Sequence, residues 1–175
     1  EALGLSGEVD RGRLHIIHGS TVATNAVLEG KNAPTAYVTN HGFGDTLMLG
    51  RQARPSLYAL EFPAASTALP SVYCLETGGR ISAEGKVLET LTPDELRELV
   101  AKIKDLAPEA VAINLLFSFL DDSAEVAIEN AIKNEDLPVF VSRSSAVLPV
   151  YREYERGIAT WLNASLGPVV FSYLS

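Results

Sequence analysis

The sequence predicts an α/β domain with a mixed, mainly parallel sheet and flanking helices, and three observations carry that reading. An apolar strand, Leu14-His15-Ile16-Ile17, runs into helix formers and then into a second strand at 36–39. The same order returns as an apolar run at 110–117, a helical stretch at 123–134 and a strand at 139–141. Between the two units lies an amphipathic helix that begins at Thr92 with a complete set of start signals.

Taken in order, residues 14–18 read as a short strand and 20–29 as a helix with Ser20 or Thr21 at its N-cap. Pro34 leads into the strand at 36–39, closing a βαβ unit whose crossover is right-handed if the strands are parallel. Gly42 and Gly44 flank Phe43, and Asp45 starts a helical turn that ends near Gly50. Residues 51–70 carry Pro55, Pro63 and Pro70 without a sustained period, which reads as extended loop. From 72 to 91 the pattern is strand-like. Ala83-Glu84-Gly85-Lys86 supplies a hairpin turn between Arg80-Ile81 and Val87-Leu88, and Gly78-Gly79 reads as a bulge or turn before it.

At the next helix, Thr92 is the N-cap, Pro93 occupies the first helical position, and Glu95 completes a capping box. Leu91 and Leu96 are placed for the hydrophobic staple, and Leu96, Leu99, Val100, Ile103 and Leu106 form one apolar stripe. The run 110–117 fits a strand covered on both faces. The last helix, near 150–166, presents Tyr151, Tyr154, Ile158, Trp161 and Leu162 on one side. At the two ends, EALGL reads as the last turn of a helix stopped by Gly4, and GPVVFSYLS as a new helix start. With no initiator Met, the chain is expected to be a segment of a longer polypeptide.

The 175 residues suffice for one domain, or two closely packed lobes, spanning 1–175 with a real core. A hydrophobic fraction of 47% and a charged fraction of 21% are those of an ordinary folded protein. A net charge of −8 argues against binding nucleic acid or an anionic membrane through a general basic surface. Cys74 is the only cysteine, so neither an intrachain disulfide nor a multi-thiolate metal site can form. The N-terminus lacks the features of a signal peptide, and the run from 110 to 120 is far short of a bilayer span. A soluble, cytoplasmic protein is expected.

The segment HGSTVATNA is the first candidate site. On a helix, Thr21, Thr24, Asn25 and Leu28 share one face, while Val22 and Ala26 lie on another, with Ala23 and Val27 beside them ready to pack. Neutral hydrogen-bonding groups thus stand near a helix start, and His18-Gly19 leads into it from the carboxyl end of a strand, the edge where open α/β sheets bind ligands. Simple capping by Ser20 or Thr21, with Thr24 bonding back to a carbonyl, explains one or two hydroxyls but not the amide and histidine alongside them. The residues themselves point only to a polar ligand or phosphate. Arg51-Gln52-Ala53-Arg54 offers two guanidinium groups that could grip an anion, or a solvated loop. In Tyr151-Arg152-Glu153-Tyr154-Glu155-Arg156, the i, i+3 spacings favour surface ion pairs. His15 reads as a packed or solvent-touching strand residue, and His41, next to Gly42, as a loop histidine that lies near a site or is simply exposed. No His/Asp/Glu cluster has metal-ligand spacing, so no protein-built metal centre is expected.

Three stretches together resemble the N-terminal region of the hydantoinase A/oxoprolinase family: HGSTVATNAVLEGKNAPTAYVTNHGFGDTLMLGRQARPSLYAL, INLLFSFLDDSAE and SSAVLPVYREYERGIATWLNASLGPVV. The resemblance covers nearly the whole chain with compatible spacing. It implies an actin-like (ribonuclease H-like) ATPase architecture and ATP-dependent opening of a cyclic amide, such as a hydantoin or 5-oxoproline, through phosphorylation of the amide oxygen. ATP and Mg²⁺ are the implied cofactors. A hydantoinase B-type subunit or domain and an oligomeric assembly are the implied partners. Relatives include acetone and acetophenone carboxylases, which activate ketones, and a non-catalytic module retaining the fold is the other alternative.

Carried onto this chain, the resemblance makes His18, Thr21 and Asn25 candidate catalytic residues. Gly19, Ser20, Thr24, Arg51, Gln52, Arg54, Glu153, Tyr154 and Arg156 become candidate substrate contacts. The family's D-x-G-G-T-x-T-D phosphate hairpin is expected before the first residue here, and the larger C-terminal half after the last. Phe117 stands where relatives often have His, and Gly157-Ile158-Ala159 replaces a more hydroxyl-rich stretch. These two departures bear on which ring is the substrate.

Overall fold

A computed structural model describes residues 21–51 and 73–174. Its main sheet has strand order β2-β1-β5-β6, from β1 (Thr35–Asn40), β2 (Cys74–Thr77), β5 (Ala110–Ile113) and β6 (Phe140–Arg143). Every pairing in it is parallel, with Val38 beside both Leu75 and Ile113, and Ile113 beside Arg143. The antiparallel component is a separate two-stranded hairpin, β3 (Arg80–Ile81) and β4 (Val87–Glu89), with a register shift after Arg80. The α/β class read from the sequence therefore holds, and so does the second βαβ unit. Residues 14–18, the opening strand of the first unit, lie outside the described residues, as does most of the 51–70 loop.

Alternation along the strands sorts the core into two layers. Ala36, Val38, Leu75, Val111 and Ile113 face α3 (Pro93–Leu106) and α4 (Ser123–Asn134), meeting Leu99, Val100, Ile103, Ile128 and Ile132. Tyr37, Ala110 and Ala112 face the other way, toward Leu47 of α2 (Thr46–Leu49) and Ala164 of α6 (Glu153–Leu174). The start of α3 is built as its sequence dictates. Thr92 Oγ1 accepts the Glu95 N–H at 3.2 Å, and Glu95 Oε2 accepts the Thr92 N–H at 2.8 Å.

Three sequence expectations need correction. The run 110–117 is not one strand: β5 stops at Ile113, and Phe117 takes φ 58°. Side-chain acceptors replace the strand neighbour there, as described below. The C-terminal segment GPVVFSY does not start a new helix; α6 continues through Pro168 to Leu174. The Ser165 carbonyl, close to the proline, accepts the Ala33 N–H at 3.0 Å from outside the helix. Finally, the most buried face of α6 is a stripe of smaller residues, Gly157, Thr160, Ala164 and Ser165, with Tyr154, Ile158 and Trp161 at its margin. Ala110 and Ala112 leave room for the helix to approach closely, so bulky side chains are displaced to the flanks.

Candidate functional site

In a parallel sheet, ligands sit at the carboxyl ends of strands where successive connections leave in opposite directions. Here β2 lies on one side of β1 and β5 on the other, which makes the ends of β1 and β5 that position. A buried asparagine, Asn40, ends β1, and another, Asn114, directly follows β5.

Three successive N–H groups after β5 point at side chains from three different elements. Leu115 N–H donates to Glu125 Oε1 at 2.9 Å, Leu116 N–H to Asn40 Oδ1 at 2.7 Å, and Phe117 N–H to Glu153 Oε1 at 3.4 Å. This accounts for the early end of β5, because the backbone has better acceptors here than a neighbouring strand. Glu125 is fully buried in α4 and also accepts the Ser144 hydroxyl at 2.6 Å and the Ser145 N–H at 3.0 Å. It joins the start of α5 (Ser144–Val147) to the same loop.

Arg156 enters this network from the first turn of α6 and is completely buried. Its guanidinium donates to Asn114 Oδ1 at 3.0 Å, to the Val150 carbonyl at 3.1 Å, and to the Leu115 carbonyl and the Glu153 carboxylate. Asn114 in turn donates to the Tyr37 hydroxyl at 2.8 Å. Burial pushes the Tyr37 phenol up, opposed by that hydrogen bond. Burial also raises Glu153 above the usual carboxylate range, with the Arg156 charge pulling the other way.

Gly157 is a packing requirement of this arrangement. A Cβ there would lie 2.7 Å from the Tyr37 hydroxyl and 2.9 Å from Asn114 Nδ2. Among the described residues, the carboxylates of Glu125 and Glu153 are both occupied by donors of the chain, so they do not fit a nucleotide-bound Mg²⁺ as they stand.

The sequence-predicted residues fall into separate groups. Glu153 and Arg156 meet at the sheet edge, with Tyr154 beside them and its ring 3.8 Å from where a Cβ on Gly50 would be. Arg51 joins this region through an ion pair to Glu155 Oε1 at 2.7 Å. Thr21, Thr24 and Asn25 are exposed on or beside α1 (Val22–Leu28), which packs on α6. Thr21 occupies the N-cap position but makes no side-chain cap bond, so capping does not account for its hydroxyl. His18, Gly19, Ser20, Gln52 and Arg54 lie outside the described residues.

Sequence reasoning missed Asn40, Asn114 and Glu125. Asn114 interrupts an otherwise apolar run, and that was the available signal. Glu125, an acid in the first turn of α4, carries no such signal.

Residues 5–136 match the family described as the hydantoinase/oxoprolinase N-terminal region. The chain belongs to this family. An uncharacterized protein of Methanocaldococcus jannaschii is 36% identical to this hydantoinase/oxoprolinase region over 162 residues, 91% of the chain and 24% of the relative. The 5-oxoprolinase 1 of Arabidopsis thaliana is 30% identical over 176 residues, 90% of the chain and 14% of that protein. Caprolactamase subunit alpha of Pseudomonas jessenii is 29% identical over 160 residues, covering 90% of the chain and 23% of the subunit. The crystal structure of ATP-dependent caprolactamase from that organism superposes with a TM-score of 0.79 at 28% identity, over 89% of this chain and 23% of that one. The hydantoinase/oxoprolinase region thus spans a quarter or less of the length of the relatives it matches.

Proposed function

We propose that in the whole protein this region is one lobe of an ATP-dependent cyclic amidohydrolase with an actin-like architecture. The observation that carries the reading is the agreement in both sequence and fold with ATP-dependent caprolactamase. The substrate is a hydantoin or a 5-oxoproline-type ring, and the similarity to 5-oxoprolinase 1 supports the latter. An amide carbonyl resists water because nitrogen donates into it. ATP, bound with Mg²⁺ largely by parts of the protein outside this region, would supply the phosphoryl group that activates the amide oxygen. A hydantoinase B-type subunit completes the enzyme, in keeping with the subunit designation of the caprolactamase relative. The cytoplasm is its compartment; among the described residues no helix is long and apolar enough to cross a membrane.

The chain's own residues would bind and orient the ring. Thr21, Thr24 and Asn25 present exposed hydroxyl and amide donors, and His18, Gly19 and Ser20 lead into them in the sequence. Hydrogen bonds aimed at developing negative charge would stabilise the transition state. Arg51, which pairs with Glu155 here, would exchange that partner for an anionic group of the substrate, with Gln52 and Arg54 beside it in sequence, and Glu153 and Tyr154 would form the neighbouring wall. Arg156 is wholly buried, so it acts on substrate through the 114–117 loop and Glu153 rather than by direct contact.

The test is ADP release by the full-length protein with Mg²⁺ and ATP, comparing hydantoin, N-methylhydantoin, 5-oxoproline and no ring, with and without the B-type partner. Stimulation specific to one ring is expected. No stimulation by any ring, with the partner present, overturns the reading in favour of ketone carboxylation or a non-catalytic module. In the active protein, Thr21→Val is expected to lower turnover by roughly 10²-fold with an unchanged melting temperature. Unaltered turnover in that variant removes Thr21 from the site.

A further inference from the structure

His41 follows β1 and side-steps the network around Asn114, yet it is the centre of a second cluster. Its Nε2 lies 3.9 Å from Glu95 Oε1 at the start of α3, and its Nδ1 lies 4.0 Å from Glu76 Oε2 on β2. Glu89, on β4, completes the group: one donor atom each of His41, Glu89 and Glu95 lies within 4.8 Å of the other two. Among the described residues these carboxylates form no ion pair with a lysine or arginine, and Arg80 across the hairpin places its guanidinium over the Phe43 ring instead.

We propose that His41, Glu89 and Glu95 form a site for a divalent transition cation of the Zn²⁺ class, with Glu76 orienting the imidazole. The inference goes beyond the amidohydrolase reading and does not depend on it. One imidazole and two carboxylates from three elements match a three-ligand zinc site with water in the fourth position. The imidazole selects against Mg²⁺ and Ca²⁺, which take oxygen ligands.

Tetrahedral zinc at its usual bond lengths sets donors roughly 3.4 Å apart. Side-chain rotation of the half-exposed His41 and of Glu89 supplies that closure from the present spacing. The supporting groups are already arranged. Glu95 spends Oε2 on the Thr92 N–H and hydroxyl, which leaves Oε1 facing His41. Glu76 is anchored through Oε1 by the Gly44 N–H at 2.9 Å, with its other oxygen toward His41 Nδ1. A carboxylate behind the distal imidazole nitrogen is the usual device for fixing a metal-binding histidine. Glycines make room for both acids: a Cβ on Gly44 or Gly78 would fall 2.8 Å from Glu76 Oε1 or Glu95 Oε1 respectively. A bound ion would fasten the β3–β4 hairpin to the carboxyl edge of the sheet and to α3.

The test is equilibrium dialysis of the full-length protein against Zn²⁺, with elemental analysis. Wild type is expected to hold one equivalent more than His41→Ala or Glu89→Gln. Glu76→Gln should keep that equivalent with affinity weakened about tenfold. Glu89→Gln decides the matter even if the other variants fold poorly, because Glu89 sits on the peripheral hairpin outside the core. Equal zinc content in wild type and Glu89→Gln overturns the site, and ready displacement of the extra ion by Mg²⁺ overturns its assignment to the transition-metal class.

Discussion

Two pairs of residues in this molecule share the same chemistry and spacing and do opposite work. Asp94 and Arg97 in α3, and Glu153 and Arg156 in α6, are each an acid followed three residues later by an arginine near a helix start, and each forms an ion pair. The α3 pair stands in water, with side chains 82% and 79% exposed. In the α6 pair the guanidinium is 0% exposed and the carboxylate 24%. In the first, solvent screens the attraction and little is gained by fixing two side chains. In the second, the charge has been taken out of water and its donors shared among Asn114, Leu115, Val150 and Glu153. Spacing thus predicts that a pair will form, whereas the surrounding fold decides what the pair is for.

The largest expected effect comes from breaking the buried member. Arg156→Ala leaves Glu153 half-buried without its counter-ion, and Asn114 and the Leu115 carbonyl without their donor. A loss of about 3–5 kcal/mol is expected, read as a lower denaturant midpoint together with faster amide exchange in 114–120. A loss under about 1 kcal/mol would place Arg156 in the same class as Arg97.

A smaller effect tests the packing beside it. Gly157→Ala pushes a methyl group into the Tyr37–Asn114 hydrogen bond, and overpacking of this kind costs about 1–3 kcal/mol. Alanine is the better helix former, so any gain in stability would show that α6 can shift away from the sheet at no cost. At α3, Thr92→Ala removes one half of the capping box and should cost about 1 kcal/mol, with fraying confined to the first turn.

The pH dependence of that cap follows from its geometry. The Thr92 N–H and hydroxyl hold Glu95 below its ordinary 4.5. A depressed carboxyl stabilises the fold above its unfolded value and loses that contribution as pH falls through the folded one. The benefit of Thr92 is therefore expected to be full at neutral pH and to fade below about pH 4.5, so the melting-temperature gap between wild type and Thr92→Ala should narrow in acid. A gap that stays constant down to pH 3 would mean that Glu95 contributes nothing to the cap.

What was legible in the sequence divides along the same line. The capping box, the stripe on α3 and the hairpin turn are legible from residues a few positions apart, and the second βαβ unit from its run of strand and helix patterns, although its strands pair at long range, Ala110 beside Phe140; each formed where expected. The end of β5 was illegible because its acceptors, Asn40, Glu125 and Glu153, are 76, 10 and 36 residues from the N–H groups they serve. The inner face of α6 was misjudged because its small residues matter only once β5 is known to present alanines. Of the candidate site, Glu153 and Arg156 were singled out as substrate contacts by family resemblance, and the structure buries Arg156 completely. Their spacing alone favoured a surface pair. The His41 cluster escaped notice because its ligands are scattered from 41 to 95 and brought together only by the sheet edge.

The smallest expected effect is on the exposed pair, and it sharpens the contrast most cleanly. Arg97→Ala removes the partner of Asp94 without opening the core, since both side chains project into water. A change within about 0.5 kcal/mol is expected, shrinking further as salt screens what remains of the attraction. Asp94 itself sits in the first turn of α3, where a negative charge is favourable with or without Arg97. Asp94→Asn should therefore cost at least as much as Arg97→Ala, and the two changes should add with little coupling. Strong coupling that survives high salt would mean that the α3 pair is held as rigidly as Glu153 and Arg156. Burial would then no longer account for the difference between them.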